Sequence, residues 1–277
     1  MIVFPCCKIN LGLNVIRKRS DGYHNLSTVF YPLSLNDRLE IKIIENSIDN
    51  TNITLTGIRV KGNTMDNLVI KAYKLLDKDF SLPNLSFYLK KNIPSQAGLG
   101  GGSSDAAFAL NAINELCGLN ISCEMLRQYA VKLGADCPFF INPVPSYATG
   151  IGEILKPLEK PLSTLNGKYI VLIKPTENIS TKQAFQYITP FEPKVSCLDI
   201  VSSYPVEEWK ELLVNDFEKS IFKVYPKLKM IKAKLYDMGA IYAQMSGSGS
   251  CFFGVFNKMP NNLANTFTSA FTYACKL

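Results

Sequence analysis

The feature that most constrains the fold is a glycine-rich segment, PSQAGLGGGSSD, between a predicted strand and a predicted helix. The strand before it alternates apolar residues at Leu85, Phe87 and Leu89, and the helix after it reads AAFALNAINELC and stops at Gly118. Glycine lets the backbone adopt positive φ and approach a ligand closely. The following helix offers unpaired N–H groups and the positive end of its dipole, which favour a phosphate. The segment therefore predicts a phosphate-binding loop.

The segment matches neither of the common nucleotide-binding fingerprints. GxGxxG fails because Ser103 stands where the third glycine is needed, and the Walker pattern fails because no lysine precedes the serines. The alternative is an ordinary turn in which Ser103 or Ser104 caps the helix. Gly98 and the run 100–102 provide more glycine than such a turn needs, which favours phosphate binding.

A second run of small residues, at 246–250, reads Ser-Gly-Ser-Gly-Ser and lies between two strand-like segments. As a hairpin loop it needs no ligand. Two such runs in one chain nevertheless favour an anion-binding site enclosed by both loops, because the glycines of one loop leave space for the other loop.

The rest of the chain alternates strand and helix patterns. Alternation over residues 9–15 predicts a half-buried strand with Lys8 and Asn10 on one face. Further segments are assigned by the same patterns: strands at 27–33, 39–43 and 53–55 that form an early antiparallel meander, a strand at 169–173, and helices at 66–80, after Ser122, over 206–238 and from 261 onwards. The pattern loosens around the prolines between 143 and 161, so we place a domain boundary near residue 155. The sequence predicts an α+β chain of two domains.

Composition excludes several classes of protein. The length of 277 residues fits one large domain or two modest ones at about 150 residues each. Eight cysteines without a CxxC pair, and a single histidine, argue against a zinc site or a disulfide framework and for reduced thiols. No signal peptide opens the sequence, and the uncharged stretch 238–257 has Ser-Gly-Ser-Gly-Ser at its centre, which argues against a spanning helix. We expect a cytoplasmic protein with no membrane partner.

The net charge of +7 favours anionic partners without identifying them. A lysine-rich helix over 223–234 makes a nucleic-acid-binding module the hypothesis from another class. The aromatic residues do not interleave with these lysines in a stacking pattern, so we expect no nucleic-acid partner. A solvated helix face explains the lysines equally well.

Two charged residues flank the glycine-rich segment in sequence, Lys8 in CCKIN and Asp136 in GADCPFF. Asp136 precedes Pro138 and is also well placed to cap a short helix, and Lys8 also fits a solvated strand lysine. If the two meet, Lys8 favours the charged form of Asp136. The pair can then orient a hydroxyl and accept its proton, while Lys8 neutralises developing phosphoryl charge.

The early lysine strand, the glycine-rich loop and the late Gly-Ser loop, in this order, resemble the GHMP kinases. The segments that carry the resemblance are CCKINLGLNVIRKRSDGYHNLSTVF, PSQAGLGGGSSDAA, LGADCPFF and MSGSGSCFFGVF. The resemblance implies an N-terminal ATP-binding domain over 1–155, a C-terminal α/β substrate domain over 156–277, and ATP with Mg²⁺ as cofactor. KINLGLNV followed by DGYH is typical of the branch that phosphorylates the 2-hydroxyl of a methylerythritol carrying a cytidine diphosphate group, in non-mevalonate isoprenoid biosynthesis.

The resemblance also implies roles for individual residues. Asp136 matches the family's base and Lys8 its charge partner. The ATP phosphates are expected at Pro94, Ser95, Gln96, Ala97, Gly98, Leu99, Gly100, Gly101, Gly102, Ser103 and Ser104. The substrate is expected at Tyr23 and Phe185, which stack on cytosine, His24, which hydrogen-bonds it, Phe30, which adds apolar wall, and Asn10 and Thr181 near the diphosphate and erythritol. The third glycine loop comprises Ser246, Gly247, Ser248 and Gly249, and Ser103 or Ser104 is implied as a magnesium contact.

The chain departs from the family pattern at Cys6-Cys7, where Pro-Ala is usual, and at 142–145, where a Gly-Gly pair is frequent. A sister kinase that acts on homoserine, mevalonate or a sugar is the alternative within the family. Those substrates lack cytosine, so they would give Tyr23, His24 and Phe185 no common binding role. We expect a monomer or a weak dimer.

Overall fold

The computed structural model describes residues 1–44, 50–60 and 62–277. These residues divide into two compact units that interleave along the chain. The first comprises Met1–Lys8, Pro32–Ser95 and Gly100–Pro143, and the second comprises Ile9–Tyr31, Gln96–Leu99 and Val144–Leu277. The last switch between units therefore falls at Pro143–Val144, and the division of the family domains at residue 155 stays a prediction.

The strands of the described residues are β1 (Ile2–Val3), β2 (Cys6–Lys18), β3 (His24–Asn36), β4 (Arg38–Ile43), β5 (Asn52–Gly57), β6 (Leu85–Lys91), β7 (Ser146–Thr149), β8 (Ile154–Pro157), β9 (Tyr169–Lys174), β10 (Tyr242–Met245), β11 (Phe252–Phe256) and β12 (Phe271–Lys276). The α-helices are α1 (Leu68–Phe80), α2 (Gly101–Leu116), α3 (Cys123–Leu133), α4 (Thr181–Phe185), α5 (Cys197–Ser203), α6 (Trp209–Leu212), α7 (Asp216–Val224), α8 (Pro226–Asp237) and α9 (Leu263–Thr266). This mixture confirms the α+β class. None of these helices in the described part of the chain is long and apolar enough to cross a membrane.

The first unit contains a sheet in the order β1-β4-β6-β5. Its β4 runs antiparallel to β6 and β5 runs parallel to it, so that Leu39 and Leu55 both lie opposite Leu89. Helix α2 packs against β4, and α1 lies against α2 and α3. Helix α3 begins after Ser122, whose side chain accepts a hydrogen bond from Met125 N, so the predicted cap is confirmed.

The second unit contains a sheet in the order β2-β3-β7-β8, with most of β2 and β3, and a second sheet in the order β10-β11-β9-β12. Its buried core packs α7 and α8 against the second sheet. The cluster includes Leu13 and Val15 of β2, Val171 of β9, Phe217 of α7 and Phe252 of β11. Every residue of β2 from Cys7 to Val15 is buried, including Lys8, Asn10 and Asn14 on its polar face, so both faces of this stretch are covered by protein.

The predicted early meander is wrong beyond β2 and β3. Strand β4 pairs with β1 and β6, and β5 lies beside β6 rather than beside β4. A period of two reveals which residues face a core, but it carries no information on which strand lies alongside. The pairing of β5 with β6 is parallel and needs the intervening α1 as its crossover.

The helical region predicted over 206–238 is confirmed, whereas the final helical stretch predicted from 261 is wrong in extent. The first region contains α6, α7 and α8, and Pro226 occupies the first turn of α8, where its missing N–H costs no hydrogen bond. Helix from 261 onwards covers only α9, and FTYACK forms β12 against β9. β12 is rich in aromatic and β-branched residues, which fit a pleated, half-buried surface.

Candidate active site

Lys8 and Asp136 form an ion pair in the first unit. Lys8 Nζ lies 3.3 Å from Asp136 Oδ2, with 4% of the lysine side chain and 34% of the aspartate side chain exposed. Asp136 occupies the N-cap position of a 3-10 helix, Cys137–Ile141, yet within the described chain its side chain caps no backbone N–H. The capping alternative is therefore not observed. The carboxylate keeps an open face while its partner is buried.

The start of α2 lies beside this pair. Gly100 is the residue before the helix and adopts the left-handed conformation, with φ 70° and ψ 14°. A Cβ at Gly100 would lie 2.7 Å from Phe140 Cζ and 3.3 Å from Lys8 Cε, so only glycine fits between the lysine stem and the helix. The alternative in which Ser103 or Ser104 caps the helix is wrong, because both lie inside its first turn.

The two serines of this first turn have different surroundings. Ser103 hydrogen-bonds the thiol of Cys137, the neighbour of Asp136; burial raises the pKa of that thiol to about 12, and the hydrogen bond partly opposes the rise. Ser104 is fully buried, and its Oγ has no hydrogen-bond partner among the described residues. The first N–H groups of an α-helix have no partner within the helix, so this turn presents donors. The arrangement suits an anion.

The earlier part of the glycine-rich segment belongs to the second unit and lies against the third glycine loop. Ser246 Oγ donates a hydrogen bond to Gly98 O at 2.8 Å and accepts one from Asn10 N at 3.3 Å. Cys251 N donates to Ala97 O at 3.1 Å. Gly98 has a φ of 73°, and a Cβ there would collide with the carbonyl oxygen of Ser246. The structure therefore brings the two glycine-rich loops together.

Asn10 is held in place by polar groups that the sequence analysis missed. Its Nδ2 donates to Thr28 Oγ1 at 3.0 Å, and Thr28 Oγ1 donates to Gly12 O at 2.5 Å. Gly12 N donates to Gln244 Oε1 at 2.9 Å. Gln244 lies in β10, whose other residues are apolar and buried, and a polar residue in such a strand is the signal that points to it. Thr28 lies in β3, a strand with several polar residues, so it gives no such signal.

His24 and Phe185 meet in the second unit. Their rings are stacked with centroids 4.7 Å apart and planes 18° apart, and Phe185 packs edge-on against Phe217 at 4.8 Å. Burial, together with the charge of Lys18, lowers the pKa of His24, so its imidazole is neutral at pH 7. Tyr23, the residue before it, is 61% exposed. One face of Phe185 is therefore occupied by His24, while the Tyr23 ring is open to solvent.

The remaining predicted substrate residues have contrasting exposures. Phe30 in β3 is 2% exposed, so its ring is covered by protein. Thr181 is the exposed first residue of α4, which begins after Ser180. Because Thr181 and Phe185 are four positions apart in this helix, they share one face.

A buried charged triad near the glycine-rich segment was not anticipated. Lys91 Nζ bridges the carboxylates of Asp37 and Asp105, and all three side chains are almost fully buried. Burial raises the pKa of Asp105 to about 8, the nearby Lys91 opposes this rise and Asp37 adds to it. The sequence feature that could have predicted the burial of Lys91 is its place in the alternation of Leu85, Phe87 and Leu89, which puts it at a position where a buried side chain is expected.

Metal-binding groups are sparse in the described residues. These residues contain no group of three or more His, Cys, Asp or Glu side chains that could hold a metal ion by itself. The eight cysteines are free thiols.

Comparison with known proteins gives consistent matches along the chain. The family described as GHMP kinases N terminal domain matches residues 67–142, and the one described as GHMP kinases C terminal matches residues 205–271. A 4-diphosphocytidyl-2-C-methyl-D-erythritol kinase of Bacteroides fragilis (strain YCH46) is 49% identical over 277 residues, which is 100% of both chains. The Bacteroides thetaiotaomicron enzyme of the same name is 52% identical over 256 residues, which is 92% of both chains.

Solved structures give the same fold. A crystal structure of 4-(cytidine 5'-diphospho)-2C-methyl-D-erythritol kinase superposes with a TM-score of 0.81 at 31% identity, covering 99% of this chain and 98% of that chain. A mevalonate kinase from Methanococcus jannaschii superposes with a TM-score of 0.71 at 12% identity, covering 100% of this chain and 98% of that one. At so low an identity the second similarity concerns the fold alone.

Proposed function

Because this chain belongs to the GHMP kinase family, we propose that its Lys8–Asp136 pair and glycine-rich segment catalyse ATP-dependent phosphorylation of 4-diphosphocytidyl-2-C-methyl-D-erythritol on the 2-hydroxyl. The products are the 2-phosphate and ADP, in the non-mevalonate route to isoprenoid precursors. The observation that carries the proposal is the ion pair of 3.3 Å beside the left-handed glycine at the start of α2. This arrangement places a base, a cation and a proposed phosphate-binding turn within one unit.

Asp136 is the proposed base. The substrate hydroxyl oxygen bonds to the γ-phosphorus of ATP, the bond from that phosphorus to the β,γ-bridging oxygen breaks, and ADP leaves. The hydroxyl proton passes to the carboxylate of Asp136, whose side chain is 34% exposed and so can receive a ligand. A carboxylate is a weak base, which suffices because phosphoryl transfer depends mainly on positioning and charge stabilisation.

Lys8 and the first turn of α2 are proposed to stabilise the phosphates. The N–H groups at 101–103 and the helix dipole attract negative charge, and glycine at position 100 permits a close approach. Lys8 adds a buried cation next to Gly100, where charge develops on the transferred group. The preceding residues 94–99 are proposed to line the same phosphate site.

Magnesium is proposed to accompany ATP and to neutralise part of its phosphate charge. The first turn of α2 fits such a metal, because Ser104 Oγ is a buried oxygen that has no hydrogen-bond partner among the described residues. Ser103 and Ser104 are the proposed hydroxyl contacts.

The cytidine end is proposed to bind at His24 and its neighbours. The stacking of His24 on Phe185 orients the imidazole, and its depressed pKa keeps it neutral, so that one nitrogen can donate and the other accept hydrogen bonds with the base. We propose that the exposed ring of Tyr23 stacks on cytosine, while Phe185, one face of which is covered by His24, supports the imidazole that hydrogen-bonds the base. Asn10 and Thr181 are proposed to contact the diphosphate and erythritol, with Phe30 behind them.

The family domains also support the boundary expected from the sequence. The N-terminal match ends at residue 142 and the C-terminal match begins at residue 205, so position 155 lies between them. We propose residues 1–155 as the ATP-binding domain and 156–277 as the second domain, in a protein that is a monomer or a weak dimer.

The testing experiment is a substrate panel with Mg-ATP, read as ADP release. It includes the cytidine diphosphate compound, the same compound without cytidine, mevalonate, homoserine and galactose, each with wild type and Asp136→Asn. We expect turnover only with the cytidine compound and its loss in the variant. Turnover with another alcohol would overturn the substrate, and full turnover by Asp136→Asn would overturn the base.

A further inference from the structure

The Lys91 triad lies directly behind the glycine-rich segment. Lys91 is the last residue of β6, Asp37 lies between β3 and β4, and Asp105 is on the first turns of α2. The exposed fractions of their side chains are 4%, 0% and 4% respectively. Lys91 Nζ donates to Asp37 Oδ2 and, at 2.5 Å, to Asp105 Oδ2. Three distant parts of the chain therefore meet at one ammonium group.

Asp37 extends this connection to the backbone that leads into the segment. Its Oδ1 accepts hydrogen bonds from Asn92 N at 2.5 Å and Ile93 N at 2.9 Å, and Asn92 Nδ2 donates to Asn36 O at 2.9 Å. The position of the chain just before Pro94 is thus determined by a side chain that also holds Lys91.

The other end of the triad reaches the helix start. A Cβ at Gly101 would lie 3.5 Å from Lys91 Nζ and 2.8 Å from Ile93 Cγ2, so the first residue of α2 is in contact with both. Asp105 follows Ser104 on the same helix. A movement of Lys91 therefore changes the separation between the end of β6 and the first turn of α2.

We propose that Lys91, held between Asp37 and Asp105, is a positioning residue that orients the backbone N–H groups at the start of α2 toward the phosphates of ATP. The inference rests on the proposed function of this turn as the phosphate site. Lys91 contacts no reacting atom in this role; it acts through the helix start.

Stability alone does not account for the triad. A buried ion pair is often no more stabilising than apolar side chains of similar volume, because both charges lose their hydration. Here Asp105 Oδ1 is also left without a hydrogen-bond partner among the described residues, which costs further free energy. The triad instead fixes the relative positions of the chain segments that carry it. The ammonium group of Lys91 has three N–H donors, and their hydrogen bonds to fixed acceptors allow a single arrangement.

The test compares Lys91→Met with Lys90→Met. Lys90 is the preceding residue of β6 and is exposed, so its variant controls for loss of a lysine at this strand end. We expect Lys91→Met to raise the KM for Mg-ATP about tenfold or more and to change the KM for the cytidine compound less than about twofold. Asp105→Asn keeps an oxygen acceptor for Lys91, so its effect should be smaller than that of Asp105→Leu.

Hydrogen exchange of the nucleotide-free protein gives a readout independent of turnover. We expect the amides of residues 104–107, the first that hydrogen-bond within α2, to exchange about tenfold faster in Lys91→Met than in Lys90→Met. If Lys91→Met does not fold, the double variant Lys91→Met with Asp105→Leu replaces two buried polar side chains by apolar ones and leaves Asp37 on its two backbone donors. The same two measurements then apply to the double variant.

Unchanged exchange at 104–107 together with an unchanged KM for ATP, in a folded variant, would overturn the inference. A wild type without ATP-dependent turnover would overturn the proposed function instead. In that case faster exchange in the variant supports the positioning role of Lys91, and unchanged exchange overturns it.

Discussion

The hydroxyl of Ser246 donates a hydrogen bond to the carbonyl oxygen of Gly98, 2.8 Å away and 148 positions distant along the chain. The same hydroxyl oxygen accepts the N–H of Asn10 at 3.3 Å. One side chain therefore connects β2, the glycine-rich segment and the loop between β10 and β11 within the second unit.

Ser246→Ala should destabilise the protein. The substitution leaves the Gly98 carbonyl and the Asn10 N–H without this partner in a buried place, at a cost of about 1–3 kcal/mol. Urea unfolding followed by circular dichroism measures the loss. Ser248→Ala, in the same loop but at a half-buried position, is the control, and equal stability of the two variants would contradict the role of the Ser246 hydroxyl.

Asp136→Asn should abolish most turnover without unfolding the chain. Removing a positioned general base lowers kcat by about 10²–10⁴-fold. Folding should persist because the side chain caps no N–H within the described chain. Steady-state kinetics and a thermal melt measure the two effects. Asp237→Asn, at the end of α8, is the control; a kcat for Asp136→Asn equal to that of the control would exclude Asp136 as the base.

Gly100→Ala should damage both stability and ATP binding. Alanine pays about 1–2 kcal/mol for the left-handed conformation, and its Cβ would lie 2.7 Å from Phe140 Cζ. Gly102→Ala is the matched control for stability, because it lies in α2 and its Cβ would meet only Leu68 Cδ1 at 3.7 Å. Chemical unfolding compares the two variants, and ADP titration calorimetry compares Gly100→Ala with wild type. Equal unfolding midpoints would show that the backbone at Gly100 is not restrictive.

His24→Ala should weaken binding of the cytidine compound alone. Loss of a hydrogen bond to the base, worth about 1 kcal/mol, and of the stack on Phe185 should raise the KM for that substrate about tenfold. The KM for ATP should not change. Tyr187→Ala removes another exposed aromatic, 57% exposed, and serves as control. A rise in both KM values for His24→Ala would indicate a general structural effect rather than a cytosine contact.

The pH dependence of the free energy of unfolding should reveal the titration of the Asp105 carboxyl group. Burial raises its pKa in the folded protein from 3.8 to about 8, whereas the unfolded chain keeps the lower value. Between these values the folded state binds more protons, so this carboxyl group makes stability fall as pH rises from about 4 to about 8. Asp105→Asn removes the titration. Urea unfolding between pH 5 and pH 8 should therefore give a steeper decline for wild type than for the variant, and parallel curves would contradict the shifted pKa.

The sequence was informative where the physical cause is local. The alternation before the glycine-rich segment, the cap at Ser122 and the strands on both sides of residues 246–250 follow from neighbouring residues, and all are observed. FTYACK was misassigned because β12 owes its conformation to pairing with β9, about a hundred positions earlier.

For the candidate site, sequence analysis provided residue types but not partners. Lys8 and Asp136 each had a structural alternative, the one for Asp136 slightly favoured, and only the tertiary structure shows that Nζ and Oδ2 lie 3.3 Å apart. Lys91 was overlooked because an exposed lysine is the common case, and only its two carboxylate partners make a buried one tolerable.

The sequence by itself determined most of the local elements, the family and the groups available for chemistry, because these depend on residue type and short spacing. Tertiary structure alone decided which strands pair, that Ser246 closes on Gly98, that His24 stacks on Phe185, and that Lys91 is buried between Asp37 and Asp105. Such contacts join residues far apart in sequence, and their geometry is set by the packing of the whole chain rather than by any segment of it.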